Sequence, residues 1–380
     1  MSILKINKND LIKNIRKVDG FMKKYNKQWS LVVKVLGGHK EVLNFILKNE
    51  AVKSLYSVAD SRLSSLRVVK EIDPAIRTMY IKPPILSSVK NVIKYADISL
   101  NTSQTTIEHL NSAAKAVGKI HKVIIMIELG ELREGILREN TVQFYSEIFN
   151  LSNIEVVGIG TNLGCMYGVE PTYNKLMQLC LYRELLQVKF KRDIELVSGG
   201  SSITLPLLKN RGIPSGVNHF RIGEAAFLGT SPYDNKKFMN LSTDIFSFFA
   251  DIIELEKKPD IPEGKIGDAA VGHTSLDPDA IKKKKSRRPK KHYRAILDFG
   301  TLDVNPVEDI FPVKKDIKFV GTTSDMTVFD IGDSRGGLKV GDAIRFKPTY
   351  MGVARIMLCK YVGKELVETR PKEHIKRKHP

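Results

Sequence analysis

The feature that most constrains the fold is a regular alternation, over the first 230 residues, of short apolar runs with amphipathic stretches. The runs are LVVKVL (31–36), LYSVA (55–59), AIRTMYI (75–81), DISLN (97–101), KVIIMIEL (122–129), IEVVGIG (154–160), IELVSGG (194–200) and VNHFRIG (217–223). Because most of these runs stay apolar along their length, they are typical of parallel strands buried on both faces. Eight strand–helix units predict an α/β fold, a (β/α)8 TIM-type barrel rather than an open sheet.

From about Thr243 the pattern changes to alternating runs punctuated by Gly, Pro and Asp, without a long helical pattern. The runs are IFSFFADIIELE, HYRAILDF, IKFVGTT, MTVFDIG, AIRFKP and ARIMLCKYV. They predict a smaller, mostly β C-terminal domain. We therefore expect a barrel over residues 1–235, a β domain over 236–370 with a basic insertion at 277–291, and a basic tail at 371–380.

The formal net charge of +19 is concentrated in part in two patches. The stretch IKKKKSRRPKK (281–291) holds eight basic residues and no acid, and residues 370–380 hold five basic residues against Glu373. No aromatic residues interleave the lysines and no nucleic-acid-binding motif accompanies them. We interpret both patches as solvated surface, with a nucleic-acid contact as the alternative.

Other classes of protein are excluded by simple patterns. The apolar runs span a few residues, far short of the roughly 20 needed to cross a bilayer. The first residues, MSILKINKNDLIKNIRK, are charged throughout and do not resemble a signal peptide. Cys165, Cys180 and Cys359 fit neither a disulfide framework nor a zinc pattern. The sequence predicts a soluble, cytoplasmic protein without a membrane partner.

A barrel builds its active site at the C-terminal ends of its strands, so polar residues at those ends are candidates. Lys34 lies inside the first run, and a buried lysine must lose its charge, contact a carboxylate or form an imine. The alternative is a lysine that extends to solvent at a strand end. The turn SGGSS, which contains Ser201 and Ser202, follows the seventh run and offers N–H groups and hydroxyls to a phosphate, or is a simple capped turn.

Two arginines complete the set. Arg221 and Gly223 end the eighth run just before Glu224, the second place where barrels commonly bind phosphate. Arg133 follows the fifth run on a glycine-bracketed loop, where it could also be a paired surface residue. One ligand would explain the lysine, the Ser/Gly turn and Arg221 together. That ligand is a phosphorylated aldehyde bound as an imine, which describes pyridoxal 5′-phosphate.

The sequence also resembles a known family. VVK near the N-terminus, SGGSS, FRIGEAAFLGTSP and the trailing β domain resemble the alanine racemase-like fold type III pyridoxal-phosphate enzymes. ADSRLSSL, YADISLN, ELGELREGI and GIGTNLGCMYGVEPT are similar to the alanine/ornithine racemase branch. RAILDFGTLDV, VGTTSDMTVFDIGD and KVGDAIRFKPTYMGVARIM continue the resemblance in the β domain.

The resemblance implies roles for individual residues. Lys34 would carry the cofactor and serve as one catalytic base, and Arg221 would face the pyridine nitrogen. Asn162 takes the place of a histidine that contacts this arginine in alanine racemases. Arg133 would reach the cofactor's phenolic oxygen or the substrate carboxylate. The phosphate would be held by Ser201, Ser202, Gly223, Glu224 and Tyr350.

The chain also departs from the family pattern. Gly37-Gly38-His39 stands where alanine racemases have Tyr-Gly-His, and Met126 stands where many have a lysine. Their second catalytic base is a tyrosine of the β domain, and the corresponding segment GKIGDAAVGHTSL has none. Asp325, in a segment that aligns with the substrate entry, is the first candidate replacement, followed by Asp268 and His273.

These observations predict a pyridoxal-phosphate-dependent amino-acid racemase that inverts the α-carbon by two-base proton transfer. Its substrate would be ornithine or another amino acid. The resemblance also implies a head-to-tail homodimer in which the β domain of one chain caps the barrel of the other. A non-catalytic pyridoxal-phosphate homeostasis protein with the same barrel, or a basic nucleic-acid-associated protein, are the alternatives.

Overall fold

Eight parallel strands close into a barrel, as the alternating sequence pattern predicts. The computed structural model describes residues 2–264, 272–275, 289–370 and 374–375. The chain divides into two compact units, one formed by Leu11–Thr243 and the other by Met1–Asp10 with Asp244–Pro380.

The strands and helices are as follows. The strands are β1 Ile3–Asn7, β2 Gln28–Val32, β3 Ser57–Asp60, β4 Thr78–Tyr80, β5 Ile98–Asn101, β6 His121–Met126, β7 Ile154–Gly160, β8 Leu196–Ser198, β9 His219–Ile222, β10 Phe246–Pro259, β11 His273–Thr274, β12 Lys291–Leu297, β13 Ile310–Pro312, β14 Lys318–Thr322, β15 Thr327–Gly332, β16 Ala343–Pro348, β17 Gly363–Val367 and β18 His374–Ile375. The helices are α1 Lys8–Lys24, α2 Lys40–Leu47, α3 Glu50–Lys53, α4 Leu63–Ile72, α5 Val89–Tyr95, α6 Gln104–Ala116, α7 Thr141–Ile148, α8 Tyr173–Phe190, α9 Leu205–Lys209, α10 Glu224–Leu228 and α11 Tyr350–Leu358.

The barrel consists of β2 to β9 in sequence order, with β9 pairing back to β2. Apolar side chains from neighbouring strands fill its core, among them Val32, Ala59, Met79, Leu100, Ile124, Met126 and Leu196. Polar side chains start the surrounding helices: Ser103 caps α6 and Thr172 caps α8 by accepting hydrogen bonds from backbone N–H groups. Helix α6 therefore begins directly after Ser103.

The second unit is built on a mostly antiparallel sheet in the order β11-β14-β15-β12-β10-β1-β17, with β16 pairing with β10, β13 and β18. Strand β1 pairs antiparallel with β10 and parallel with β17. The mostly β character of this unit is the one that the sequence predicts. Among the described helices, none is long and apolar enough to cross a membrane.

The unit boundaries differ from the predicted 1–235 and 236–370. The division falls between Thr243 and Asp244, and the first ten residues lie in the β unit. The cause is β1, whose backbone completes the sheet between β10 and β17. A five-residue strand ahead of a long helix looks like the start of the barrel when only sequence order is considered.

The prediction of a strand over ARIMLCKYV is wrong for most of that segment, because residues 350–358 form α11. Thr349 caps this helix by accepting a 3.1 Å hydrogen bond from the Gly352 amide. Val353, Ile356 and Met357 bury one face of it. Their spacing fits a helix, and the cap fixes where it begins.

Some predictions fall outside the described residues. Asp268, most of the basic insertion at 277–291 and most of the tail at 371–380 lie there. They stay predictions of the sequence.

Candidate active site

Lys34 lies at the barrel mouth, by which we mean the end where the C-termini of the barrel strands meet. The ladder of β2 closes with a 2.8 Å hydrogen bond from the Val33 amide to the Ala59 carbonyl. Lys34 then begins a 3-10 turn, Lys34–Leu36, that ends at Gly37 with a φ of +58°. The lysine is exposed. The prediction that it lies inside a buried strand is therefore wrong, because β2 ends at Val32, two residues earlier.

Asp60, at the C-terminal end of β3, is a site residue that the sequence analysis missed. It is 1% exposed and accepts hydrogen bonds from the Arg62 amide at 2.8 Å and the Ser65 hydroxyl at 2.7 Å. Burial raises the pKa of this carboxyl, while the two hydrogen bonds and the charge of Lys34 act in the opposite direction. An aspartate that directly follows an apolar run in ADSR is a signal that could have identified it.

A second carboxyl group, that of Glu224 directly after β9, acts on Lys34. Glu224, the first residue of α10, accepts a 2.9 Å hydrogen bond from the Thr230 hydroxyl. Burial raises its pKa, and the Thr230 hydrogen bond and the Lys34 charge lower it in part. The amine of Lys34 thus lies in the field of two carboxyl groups that differ in burial.

Arg221, on β9, is 4% exposed and has its guanidinium fixed by neighbouring strand ends. It donates to the Thr161 carbonyl and to the Asn162 Oδ1 at 2.7 Å each, and to the Ser198 hydroxyl. Burial lowers the pKa of Arg221 to about 10, so the group keeps its charge at neutral pH. The contact between Asn162 and the arginine is the one that the sequence resemblance implied.

The chain of contacts continues from Asn162 to a residue that the sequence analysis did not name. The Asn162 amide nitrogen donates to Glu134 Oε1. Arg133 donates to both carboxylate oxygens of Glu134, at 2.6 Å from its Nη2 to Oε1. This hydrogen bonding raises the pKa of Arg133 above its usual value. The structure therefore brings Arg133, Asn162 and Arg221 together around one glutamate.

Glu131 ties the loop after β6 to the loop after β7. Its carboxylate is 1% exposed and accepts four backbone hydrogen bonds. The donors are the amides of Cys165 and Gly164 at 2.9 Å each, Tyr167 at 2.8 Å and Val169 at 3.1 Å. Burial acts to raise the pKa of Glu131, but the four N–H donors outweigh it and hold the pKa below its ordinary value. The sequence analysis missed this residue too.

Two further contacts join the same loops. The Thr161 hydroxyl donates to the Ile127 carbonyl at 3.0 Å, and Lys175 of α8 donates to the Leu129 carbonyl at 2.6 Å. Gly135, with a φ of +152°, permits this packing, because a Cβ there would lie 2.4 Å from the Glu128 amide nitrogen. The loops of residues 127–136 and 161–169, which we call the paired loops, form one fixed layer beside Arg221.

The Ser/Gly turn and the turn after β9 lie side by side. The Ser202 hydroxyl accepts a 3.1 Å hydrogen bond from the Ala225 amide. Ser201 is the N-cap of the 3-10 helix Ser202–Thr204, and Gly223 is the N-cap of α10. The two turns contact each other through the Ser202–Ala225 hydrogen bond, and backbone N–H groups at the start of a helix are donors suited to an anion.

Two glycines allow the chain to pass through this turn. Gly200 has a φ of +123°, and a Cβ there would lie 2.4 Å from the Thr204 hydroxyl oxygen. A Cβ at Gly199 would lie 2.3 Å from Val217. Side chains at either position would displace the backbone from the space beside Ser201.

His219, two residues before Arg221, is fully buried inside the barrel. It contacts the hydroxyls of Ser30 through Nε2 at 2.8 Å and Ser198 through Nδ1 at 2.9 Å. Burial, with a contribution from the nearby charge of Arg221, lowers the pKa of His219 to about 3. The imidazole is neutral at neutral pH. It links Ser30 on β2 and Ser198 on β8 to β9, the strand that carries Arg221.

This histidine predicts a pH dependence of stability. Below pH 6.5 the unfolded chain protonates His219 whereas the native state does not, so the free energy of unfolding falls as pH falls. We expect the loss between pH 7 and pH 5 to be smaller by about 2 kcal/mol in His219→Gln than in the unmodified protein. Urea unfolding at both pH values measures it, and His109→Gln, at an exposed position on α6, is the control. An equal loss in both variants would contradict the buried neutral state.

The remaining predicted residues lie in the β unit. Asp325 is exposed in the turn between β14 and β15, where the hydroxyl of Ser324 donates to its carboxylate at 3.1 Å. His273 pairs with Thr322 and helps to line a cavity of 410 Å³ within this unit. Tyr350 is the first residue of α11.

Comparison with known proteins identifies the family. The family model for the alanine racemase N-terminal domain matches residues 6–232. An ornithine racemase from Acetoanaerobium sticklandii is 34% identical over 340 residues, which are 87% of this chain and 93% of that protein. A lysine racemase from Thermotoga maritima is 32% identical over 307 residues, 81% of this chain and 83% of that protein.

Solved structures show the same fold. An alanine racemase from Clostridium difficile 630 superposes with a TM-score of 0.72 at 16% identity, over 99% of this chain and 97% of that one. At this identity the likeness concerns the fold, whereas the family follows from the matched family model and the two curated relatives. This chain belongs to the alanine racemase family.

Proposed function

We propose that this protein interconverts the enantiomers of a diamino acid of the ornithine and lysine class, with pyridoxal phosphate as cofactor. It is an amino-acid racemase by family. The observation that carries the proposal is the barrel mouth, where one exposed lysine, a glycine-rich anion turn and a buried arginine lie on strands that neighbour one another. Both curated relatives carry the name of a diamino-acid racemase, and this supports the substrate class.

The residues at the mouth fit this cofactor. Lys34 supplies an accessible amine. The N–H groups around Ser201, Ser202, Gly223 and Glu224 suit the phosphate, since glycine keeps the backbone there free of side chains. When bound, pyridoxal phosphate supplies an electron-withdrawing ring that acidifies the α-proton of the substrate.

Arg221 is suited to face the pyridine nitrogen. It keeps its charge because its pKa of about 10 lies above neutral pH, and it is a poor proton donor. Arg221 would leave the ring nitrogen of the cofactor unprotonated, and this would limit the charge drawn from the α-carbon. We propose that this favours proton exchange over side reactions that need a stronger electron sink.

Lys34 acts as the base on one face of the α-carbon. The charge of its amine acts to lower the pKa of the Asp60 and Glu224 carboxyl groups, against the larger effect of their burial. Inversion needs a second group on the opposite face, because a proton returned by Lys34 alone restores the original configuration. We assign this second group to the β unit. Tyr350, also in the β unit, is assigned separately as a further contact of the cofactor phosphate.

Asp325→Asn tests the second base. The variant should keep its cofactor, since Asp325 lies outside the barrel unit, yet lose turnover by about a hundredfold, the usual scale for one general acid–base group. Deuterium incorporation from solvent should become unequal for the two enantiomers, because only one face keeps its base. Asp316→Asn, another exposed aspartate of the β unit, is the control. Turnover from both enantiomers at the rate of the unmodified protein would move the assignment to His273 or Asp268.

We also propose a homodimer in which the β unit of one chain completes the barrel mouth of the other. It would explain how a residue exposed on the β unit, such as Asp325, reaches a substrate. Mixing Lys34→Ala chains with Asp325→Asn chains tests this, because hetero-dimers would restore one intact site. Absence of restored activity after subunit exchange would count against a shared site.

The function itself is tested by a substrate panel. The purified protein, loaded with pyridoxal phosphate, is incubated with L-ornithine, L-lysine, L-alanine and L-glutamate, and chiral chromatography measures the D-enantiomer formed. We expect the two diamino acids to be the preferred substrates. Turnover of alanine alone would refute the substrate class, and cofactor binding without any turnover would favour a pyridoxal-phosphate homeostasis protein.

A further inference from the structure

Two arginines at the barrel mouth are connected by a single carboxylate. Glu134 contacts Arg133 directly, through two hydrogen bonds, and contacts Arg221 indirectly, through the Asn162 amide. The side chain of Glu134 is 12% exposed, whereas that of Arg133 is 40% exposed. The carboxylate therefore lies on the protein side of the pair, beneath a guanidinium that reaches the solvent.

The orientation of the Asn162 amide depends on this carboxylate. Its oxygen accepts from Arg221 Nη2 at 2.7 Å and its nitrogen donates to Glu134. A carboxylate accepts hydrogen bonds and never donates them, and a guanidinium donates and never accepts. With Glu134 on one side and Arg221 on the other, only one of the two amide orientations satisfies both neighbours.

The charge of Arg221 points to the same carboxylate. The groups that accept hydrogen bonds from this buried guanidinium are Thr161, Asn162 and Ser198, all of them neutral. A buried charge without a compensating charge is unfavourable. Glu134 acts on Arg221 as the opposite charge, and Arg133 acts against it as a like charge.

We propose that Glu134 is the positioning residue that orients both site arginines, Arg133 by direct contact and Arg221 through the amide of Asn162. The inference rests on the proposed racemase function and deepens it, because Arg221 is assigned there to the pyridine nitrogen and the sequence resemblance assigns Arg133 to the cofactor's phenolic oxygen or the substrate carboxylate. The paired loops thereby hold one carboxylate at a point where it serves two cations.

The test observes the arginines directly, in the protein without cofactor. Carbon-13 and nitrogen-15 spectra resolve the guanidinium groups, and Arg133→Lys and Arg221→Lys assign the two signals. We expect Glu134→Gln to shift both signals and Glu134→Asp to shift both by less. Glu139→Gln, an exposed glutamate five residues further along the chain, should shift neither. If Glu134→Gln moves only the Arg133 signal, or neither signal, the proposal is wrong.

The relay through Asn162 is tested by a double-mutant comparison. Asn162→Ala should shift the Arg221 signal, and adding Glu134→Gln to it should then move that signal by less than Glu134→Gln does alone, because only the effect of the charge remains. A shift of Arg221 of the same size in both backgrounds would show that the relay does not pass through the amide. Glu134→Asp, with the same charge and one methylene fewer, carries the test if Glu134→Gln does not fold.

A kinetic arm connects the proposal to racemisation. With the cofactor bound, Glu134→Gln should lower kcat/KM by about a hundredfold, because misplaced site groups affect the rate strongly, while Glu139→Gln stays unchanged. If the unmodified protein racemises nothing, the proposed function fails, yet the spectra of the cofactor-free protein still decide the role of Glu134.

Discussion

Lys34→Ala should abolish racemisation, with a loss of about 10⁴-fold or more, because the variant lacks both the amine that holds the cofactor and one catalytic base. The exposed position of Lys34 makes the loss specific, since removing an exposed side chain leaves the buried core of the barrel unchanged. The fold is expected to persist, as measured by circular dichroism and the thermal midpoint. Lys40→Ala, six residues further along at the exposed start of α2, is the matched control.

Chemical trapping identifies the attachment point independently of turnover. Borohydride reduction of the protein loaded with pyridoxal phosphate should fix a pyridoxyl group on the peptide that contains Lys34, detected by mass spectrometry. Lys34→Ala should lose the label and Lys40→Ala should keep it. A label on any other lysine, or none at all, would refute the assignment of the cofactor to this residue.

Glu131→Gln is expected to lower the free energy of unfolding by about 3 kcal/mol. The glutamine keeps one of the two accepting oxygens and turns an N–H group towards backbone N–H groups of the same polarity, which leaves buried donors unsatisfied. Urea unfolding at pH 7 measures the effect. Glu139→Gln, at an exposed glutamate of the 3-10 helix Arg138–Asn140, is the control. A difference below about 0.5 kcal/mol would show that the paired loops do not depend on this carboxylate.

The same residue predicts a dependence on acid. Because the pKa of Glu131 is lower in the native state than the 4.5 of its ordinary value, its contribution to stability is complete above that value. It is lost as pH falls further, through the lower pKa of the native state. Glu131→Gln should therefore remove part of the acid sensitivity of the unmodified protein below pH 4.5, in addition to what His219 contributes.

The barrel could be predicted from the sequence because its strands repeat one chemical pattern. IEVVGIG was expected at 154–160 and β7 is Ile154–Gly160. Lys34 shows the limit of such a pattern. The run LVVKVL is apolar on both sides of the lysine, but the glycines that follow allow a 3-10 turn, and hydropathy alone does not distinguish a strand from the turn that ends it.

The two glutamates of the loop after β6 could not be recognised in the same way. Glu131 and Glu134 stand in ELGELREG, among charged residues that usually face solvent, and the pattern there indicates only Arg133 as a site residue. Their burial arises from contacts with residues about 30 positions away, such as Cys165 and Asn162. Such contacts depend on two loops meeting at adjacent strands, which the barrel topology allows but the local sequence does not specify.

Strand β1 also constrains the order in which the two units can fold during synthesis. Its partners, β10 and β17, begin more than 240 and 350 residues later, so the strand waits unpaired while the ribosome synthesises the entire barrel. The barrel unit can fold as it emerges, but the sheet can close only when the last strands leave the exit tunnel. Asn9, just after β1, and Glu368, just after β17, lie close together, since the Asn9 side chain donates to the Glu368 carbonyl at 2.9 Å. A circular permutant that joins the N-terminus to the C-terminus and opens the chain elsewhere would bring β17, β18 and β1 out of the ribosome one after another.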